Sequence, residues 1–378
     1  MSILDIKSVI DIQYRFLTRV IAMPNLSTPQ PSRHLTSTVY AQSLAYLKFE
    51  RPDLAEAERF LVDFGLAVAF RSEDEIYFRS TDRDPYCYHV VRGEQARFIG
   101  FGLTVVSQSD LVKLTHVTGA SQIEPLAFGG GECVRLSDPA GFTVEAVWGR
   151  SLVEPLSHRS ALAMNQGDPY VRVNATQRPI VKPSEVLRLG HVVLEIADFQ
   201  ETCAWYTEHF GFIPSDVQVL PDGSPAVAFL RLNRGDIPVD HHTLALAQGF
   251  MSCYSHSAFE LIDADAVGMG QRVLRERGWK HAWGIGRHIL GSQIFDYWED
   301  PWGDKHEHYC DGDVFTAEVP TGIHEVNRAA MAQWGQPMPA SFTKPKLTVS
   351  NVAGLVHNLR HSPDLSIRKL ITLAKLFG

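Results

Sequence analysis

The sequence predicts an α+β protein built from two tandem modules of paired βαβββ units, with mostly antiparallel sheets and helical extensions at both ends. Three observations lead there. The chain repeats itself: Leu44-Ala45-Tyr46-Leu47-Lys48-Phe49-Glu50 and Phe64-Gly65-Leu66 return as Leu189-Gly190-His191-Val192-Val193-Leu194-Glu195 and Phe210-Gly211-Phe212, at offsets of 145 and 146. Each copy reads as an apolar strand, then a helix opening near Asp53 or Asp198 and closing at the Phe-Gly pair. Strands follow, parted by turns such as Pro221-Asp222-Gly223. Neither copy holds a G-x-G-x-x-G or a G-x-x-x-x-G-K-[ST], so a glycine loop cradling a nucleotide is unsupported.

Residues 1–41 form an N-terminal extension. Over 3–22 an apolar, β-branched-rich pattern carries Lys7, Asp11, Arg15 and Arg19 at helical intervals until Pro24, Pro29 and Pro31 break it, which predicts a peripheral helix and a linker. The first module spans 42–150, a linker 151–185, and the second module 186–312. Later blocks support the pairing: Asp138-Pro139-Ala140-Gly141 with Glu145 matches Asp300-Pro301-Trp302-Gly303 with Glu307, and each glutamate lies six residues after its proline. Arg97-Phe98-Ile99-Gly100-Phe101-Gly102-Leu103 lies opposite Cys253-Tyr254-Ser255-His256-Ser257-Ala258-Phe259.

The C-terminal extension, 313–378, differs in charge. From 344 onward Lys344, Lys346, Arg360, Arg368, Lys369 and Lys375 face only Asp364, a net +5 in a chain whose total is −8. Ile367, Leu370, Ile371 and Ala374 fall at helical spacing after Pro363-Asp364. This basic amphipathic helix is expected to pack on the acidic body or on a neighbouring subunit rather than on a membrane.

Composition excludes several classes. With 378 residues the chain is long for one domain, and 45% hydrophobic and 21% charged residues are globular values. The excess of 43 acidic over 35 basic side chains argues against a nucleic-acid partner. No apolar run approaches the roughly 18 residues a membrane span needs. The N-terminus lacks a signal-peptide pattern, and five scattered cysteines without a C-x-x-C pair suit a reducing compartment, so a cytoplasmic location is expected.

Sixteen histidines are the compositional oddity. The differences between the copies locate their chemistry. In the second module His191 sits on the first strand, His256 on a later strand, and Glu307 after the Asp-Pro-Trp-Gly turn. The matching residues of the first module are Tyr46, Gly100 and Glu145. Two imidazoles and a carboxylate with open positions suit Fe(II), and are compatible with Mn(II) or Zn(II).

Gly286-Arg287-His288, seven residues, Asp296-Tyr297-Trp298-Glu299-Asp300-Pro301-Trp302-Gly303 and then Glu307 resemble the fingerprint of type I extradiol ring-cleaving dioxygenases of the vicinal oxygen chelate superfamily. Asp240-His241-His242-Thr243-Leu244-Ala245-Leu246 resembles a second block of that family, and the likeness covers about 42–312. It implies curved sheets, and Fe(II), with Mn(II) as the other candidate, held by His191, His256 and Glu307. A catechol-type diol and O2 would be the reactants, in a homo-oligomer. It further implies His242 as the acid–base histidine, with His288 and Tyr297 contacting the diol oxygens. The scaffold also hosts glyoxalase-type isomerases and non-catalytic binding proteins of the bleomycin-resistance kind, but a binding protein needs neither the triad nor His242, His288 and Tyr297.

The remaining residues carry structural expectations. His241, next to His242 in an expected strand, should face away, and His306 and His308 should point opposite to Glu307. His281 reads as a surface group, Trp298 and Trp302 as packing residues, and Glu145 as an unpartnered relic of the duplication. Asp296 stands where the fingerprint is usually apolar and is expected to alter a strand face beside the pocket.

Overall fold

The computed structural model describes residues 29–326, 328–343 and 349–377; the helix expected over 3–22 lies outside them. The first module runs β1 (Ser43–Arg51), α1 (Leu54–Phe64), β2 (Ala67–Arg71), β3 (Glu75–Arg79), β4 (Tyr88–Arg92), β5 (Arg97–Thr104), α2 (Gln108–Leu114), β6 (Glu124–Pro125), β7 (Glu132–Ser137) and β8 (Thr143–Trp148). The second runs β9 (Arg188–Ile196), α3 (Phe199–Phe210), β10 (Ile213–Val219), β11 (Pro225–Arg231), β12 (Val239–Asp240), β13 (Leu244–Gln248), β14 (Cys253–Glu260), α4 (Ala264–Glu276), β15 (Lys280–His288), β16 (Ile294–Glu299) and β17 (Lys305–Cys310). After them come β18 (Val314–Phe315), β19 (Gly322–Glu325), a 3₁₀ turn at Arg328–Met331, β20 (Ala332–Gly335), α5 (Val349–His361) and α6 (Ile367–Phe377).

Each module is itself a doubled βαβββ unit. The first sheet has the order β2-β3-β4-β1-β5-β8-β7-β6, and the second contains the same pattern as β10-β11-β13-β9-β14-β17-β16-β15. In both, the two halves meet at an antiparallel pair (β1 with β5, β9 with β14), while the first and last strand of each half run parallel. Strands β19 and β20 add one strand to each edge of the second sheet, making ten.

Local chemistry sets the element ends. Asp53 caps α1 by accepting from the Glu56 N–H at 3.0 Å, and α1 and α3 stop at Gly65 and Gly211 in left-handed conformations. Asp198 makes no such side-chain bond to α3; Asp364, from the C-terminal extension, accepts instead from the Gln200 N–H at 2.8 Å. Alternation then sorts the faces of β9. Leu189, Val192, Leu194 and Ile196 enter the apolar core under the helices, whereas His191, Val193 and Glu195 face a cavity on the other side.

One apolar core runs through both modules. Two turn aspartates tie the modules reciprocally. Asp138, in the first, accepts from Tyr206 Oη at 2.7 Å, and Asp300, in the second, accepts from fully buried Arg51 at 2.8 Å. His306 and His308 lie on the face of β17 opposite Glu307, as alternation requires. They hydrogen-bond Tyr88 Oη (3.0 Å) and Phe64 O (2.7 Å) of the first module. Trp298 is fully buried, and Trp302 lies 5.0 Å from the Arg51 guanidinium. The basic helix α6 packs on the chain's own body: Leu373 joins Leu220, Ala226 and Val326, and Lys369 Nζ reaches Gln248 Oε1 at 3.1 Å. No helix among the described residues is long and apolar enough to cross a membrane.

Candidate metal centre

Strand register builds the centre. His191 on β9 lies opposite Ala258 on β14, Ala258 opposite Glu307 on β17, and Glu307 opposite Tyr297 on β16, so four strands present one row of side chains to one face. His256, two residues before Ala258, completes the set. One ligand atom from each of His191, His256 and Glu307 lies within 4.8 Å of the others.

The arrangement fits a divalent cation. Glu307 is fully buried, yet among the described residues neither carboxylate oxygen has a hydrogen-bond partner. The nearest imidazole nitrogens, on His191, His256 and His288, stand 3.3, 3.6 and 3.7 Å away, too long for charge-assisted bonds. A buried carboxylate left so costs several kcal/mol, roughly, unless a cation meets it. Burial pushes the Glu307 carboxyl up, but the imidazoles of His191 and His288 outweigh this and hold it below the usual carboxylate range. Burial keeps His256 down at about 3 and, with His191 beside it, His242 well below its ordinary value. A neutral imidazole on His256 and an ionised carboxylate on Glu307 suit metal binding.

His242 packs against His191 with ring centroids 4.1 Å apart and planes inclined at 42°. His288 Nδ1–H donates to Met331 O (2.8 Å), which leaves Nε2 to accept from Tyr297 Oη at 2.9 Å. Burial, reinforced by the Glu307 charge, keeps the Tyr297 hydroxyl protonated by raising its pKa well above normal. These groups open on a cavity of about 490 Å³ whose other walls include Val193, Val227, Phe250, Leu290, Met338 and Phe342.

The same row in the first module reads Tyr46, Gly102, Glu145 and Arg135. Glu145 accepts from Tyr46 Oη at 2.5 Å and from Arg135 Nε at 3.2 Å, so the expectation that it lacks partners is corrected. The tyrosine reaches it by crossing Gly102, where a Cβ would meet the ring at 2.7 Å.

Three further expectations are corrected. His241 and His242 lie not in a strand but in the turn between β12 and β13, where alternation does not operate; His242 lines the cavity and His241 does not, and their Nδ1 atoms are 3.0 Å apart, both residues buried. Asp296 points away from the cavity and is fully buried, bonded to Trp298 Nε1 (2.7 Å) and Gln271 Nε2 (3.1 Å). Its third partner is His281 Nε2 at 2.7 Å, so His281 is a half-buried partner of Asp296 rather than a surface group. Sequence reasoning missed Ala258, Met331 and Asp216; the first was detectable as the counterpart of Gly102 in the repeat.

Residues 188–307 match the family model described as the Glyoxalase/Bleomycin resistance protein/Dioxygenase superfamily. The chain is 30% identical over 308 residues to metapyrocatechase 2 of Cupriavidus necator, covering 80% of this chain and 91% of that one. Among solved structures it resembles homoprotocatechuate 2,3-dioxygenase from Arthrobacter globiformis (TM-score 0.69, 23% identity, 86% of this chain and 98% of that one). It also resembles a Mn(II)-bound glyoxalase from Novosphingobium aromaticivorans (TM-score 0.68, 22% identity, 82% and 97%). The two structures share the fold alone; the sequence relationship decides between them, and the chain belongs to the extradiol ring-cleaving dioxygenases of the vicinal oxygen chelate superfamily.

Proposed function

We propose that the protein cleaves a catechol-type aromatic diol beside its two hydroxyls, incorporating both atoms of O2, with Fe(II) held by His191, His256 and Glu307. The observation that carries this is the buried triad, its carboxylate unsatisfied, opening on an apolar cavity. Two neutral imidazoles and one carboxylate with remaining positions open is the ligand set of non-haem Fe(II) oxygenases; Mn(II) is the competing ion. Bound there, the metal would supply a path for electrons from an electron-rich ring to O2.

The protein's own residues do the rest. The apolar walls accept the ring and exclude water. His242, neutral and buried, takes the proton that a diol hydroxyl loses on binding and returns one later. Tyr297 Oη, held by His288, donates toward the substrate oxygen, where charge develops. Catechol-type substrates and the five unpaired cysteines fit a chain working in the cytoplasm.

Anaerobic loading with Fe(II), then a panel of catechols in air, tests the reading: ring-fission colour with stoichiometric O2 uptake is expected. Iron-loaded protein that stays silent across the panel would sink it. His256→Ala should lose the iron, while His242→Ala should keep iron and catechol binding and lose turnover by about 10²–10⁴-fold.

A further inference from the structure

Behind His242, on the side away from the metal ligands, lies a chain of polar side chains that the proposed reaction does not yet use. His241 Nδ1 is 3.0 Å from His242 Nδ1, His241 Nε2 is 2.6 Å from Asp216 Oδ2, and His324 Nε2 is 2.7 Å from Asp216 Oδ1. The chain is built in. His241 is almost wholly buried, its ring flanked by Phe229 and Phe315, and its backbone carbonyl accepts from Ser215 Oγ at 2.6 Å. Asp216 belongs to β10 and His324 to β19, which pair in parallel with Asp216 opposite Gly322. A Cβ on Gly322 would collide with Asp216 Oδ1 and His324 Nε2, so that position must stay bare for the pair to close.

The hydrogen-bond partners then restrict where the protons lie. An ionised carboxylate only accepts, so His241 Nε2 and His324 Nε2 both carry hydrogen. Where that hydrogen is the single one on His241, the other nitrogen, Nδ1, accepts, and its partner is His242 Nδ1. That atom therefore carries the hydrogen of His242, whose Nε2 keeps its lone pair.

We propose that Asp216 and His241 are positioning residues for His242: through two successive hydrogen bonds they hold it in the Nδ1–H tautomer, so that Nε2 is the proton acceptor presented to the diol. The inference rests on the acid–base reading of His242. When Nε2 takes the diol proton, the imidazolium donates through Nδ1 to His241, and the charge of Asp216 lies one ring away. This extends the logic of a carboxylate–histidine pair by one imidazole. His324, partly exposed, joins the part-buried carboxylate to the surface.

The test compares Asp216→Asn, Asp216→Glu and His242→Ala, with bound metal, KM and kcat measured for each, and reads the tautomer of His242 in the unmodified protein by imidazole ¹⁵N NMR on the zinc-loaded form. Asp216→Asn, whose amide can donate to His241 and reverse both bonds, should keep its metal and hold KM within about twofold while kcat falls by about 100-fold or more. Asp216→Glu should recover most of kcat, and the spectrum should show hydrogen on His242 Nδ1. Hydrogen on Nε2 in the unmodified protein, or an undiminished kcat in Asp216→Asn, overturns the proposal. The spectrum needs no variant, so it decides the matter even if a substituted chain fails to fold. Should His242→Ala itself retain turnover, the acid–base reading fails instead, which separates the two claims.

Discussion

Ala258 is the residue on which the metal centre turns, though it has no chemistry of its own. It lies between His191 and Glu307 in the row and is fully buried. Any larger side chain projects between the two ligands. Ala258→Leu should therefore weaken metal binding by about 10–100-fold, measured by titration with Fe(II) or Zn(II), while Ala258→Gly should stay near the parent. The sister row shows the alternative. With glycine at that point and tyrosine in place of histidine, Tyr46 spans the gap and its hydroxyl satisfies Glu145, so the carboxylate needs no cation. The repeat made His191, His256 and Glu307 legible in the sequence, because offsets between copies mark positions without any knowledge of packing. Ala258 was harder to single out: the repeat sets it against Gly102, but small residues are everywhere, and register shows which one separates two ligands. His241 eluded the pattern because alternation holds for extended strands, whereas this residue sits in a turn.

Among elements, the Asp-Pro-x-Gly turns do more than end a strand. Asp300 accepts from the backbone N–H groups of Trp302 and Asp304 while holding Arg51 of β1; Asp138 accepts from the Phe142 N–H while holding Tyr206 of α3. Each module thus supplies a turn that grips the other. Arg51 and Asp300 are both nearly sealed from solvent, and removing one partner strands the other's charge. Arg51→Met should cost about 3–5 kcal/mol in urea denaturation, and Asp300→Asn in the same chain should return part of it. The repeated motif was plain in the sequence, as were the helices closing at Gly65 and Gly211. The cross-module partners were not, since contacts between residues about 250 positions apart leave no periodic trace. Asp364 capping α3 is another such case, a long-range acceptor doing what the local Asp198 does not.

At the scale of the whole molecule, the C-terminal extension is part of the site. Met331 fixes the proton of His288, His324 holds Asp216, and Met338, Phe342 and Leu373 wall the cavity. The segment beyond 343 gives walls but no hydrogen bond to His242, His288 or Tyr297 among the described residues. A chain stopped after Thr343 should therefore keep its metal and most of kcat, while KM for a catechol rises about tenfold, in line with losing one buried leucine from the wall. Steady-state kinetics with metal analysis would check this, and an unchanged KM would show the helices to be mere packing. The repeat could not disclose these roles, because the extension has no counterpart in the first module. Placing them so late in the chain also has a consequence for biosynthesis. A chain growing from its N-terminus has all three metal ligands once residue 307 is made, while the partners of Asp216 and His288 at 324 and 331 are still to come. The three metal ligands are thus synthesised some two dozen residues before the last of the groups that complete their surroundings.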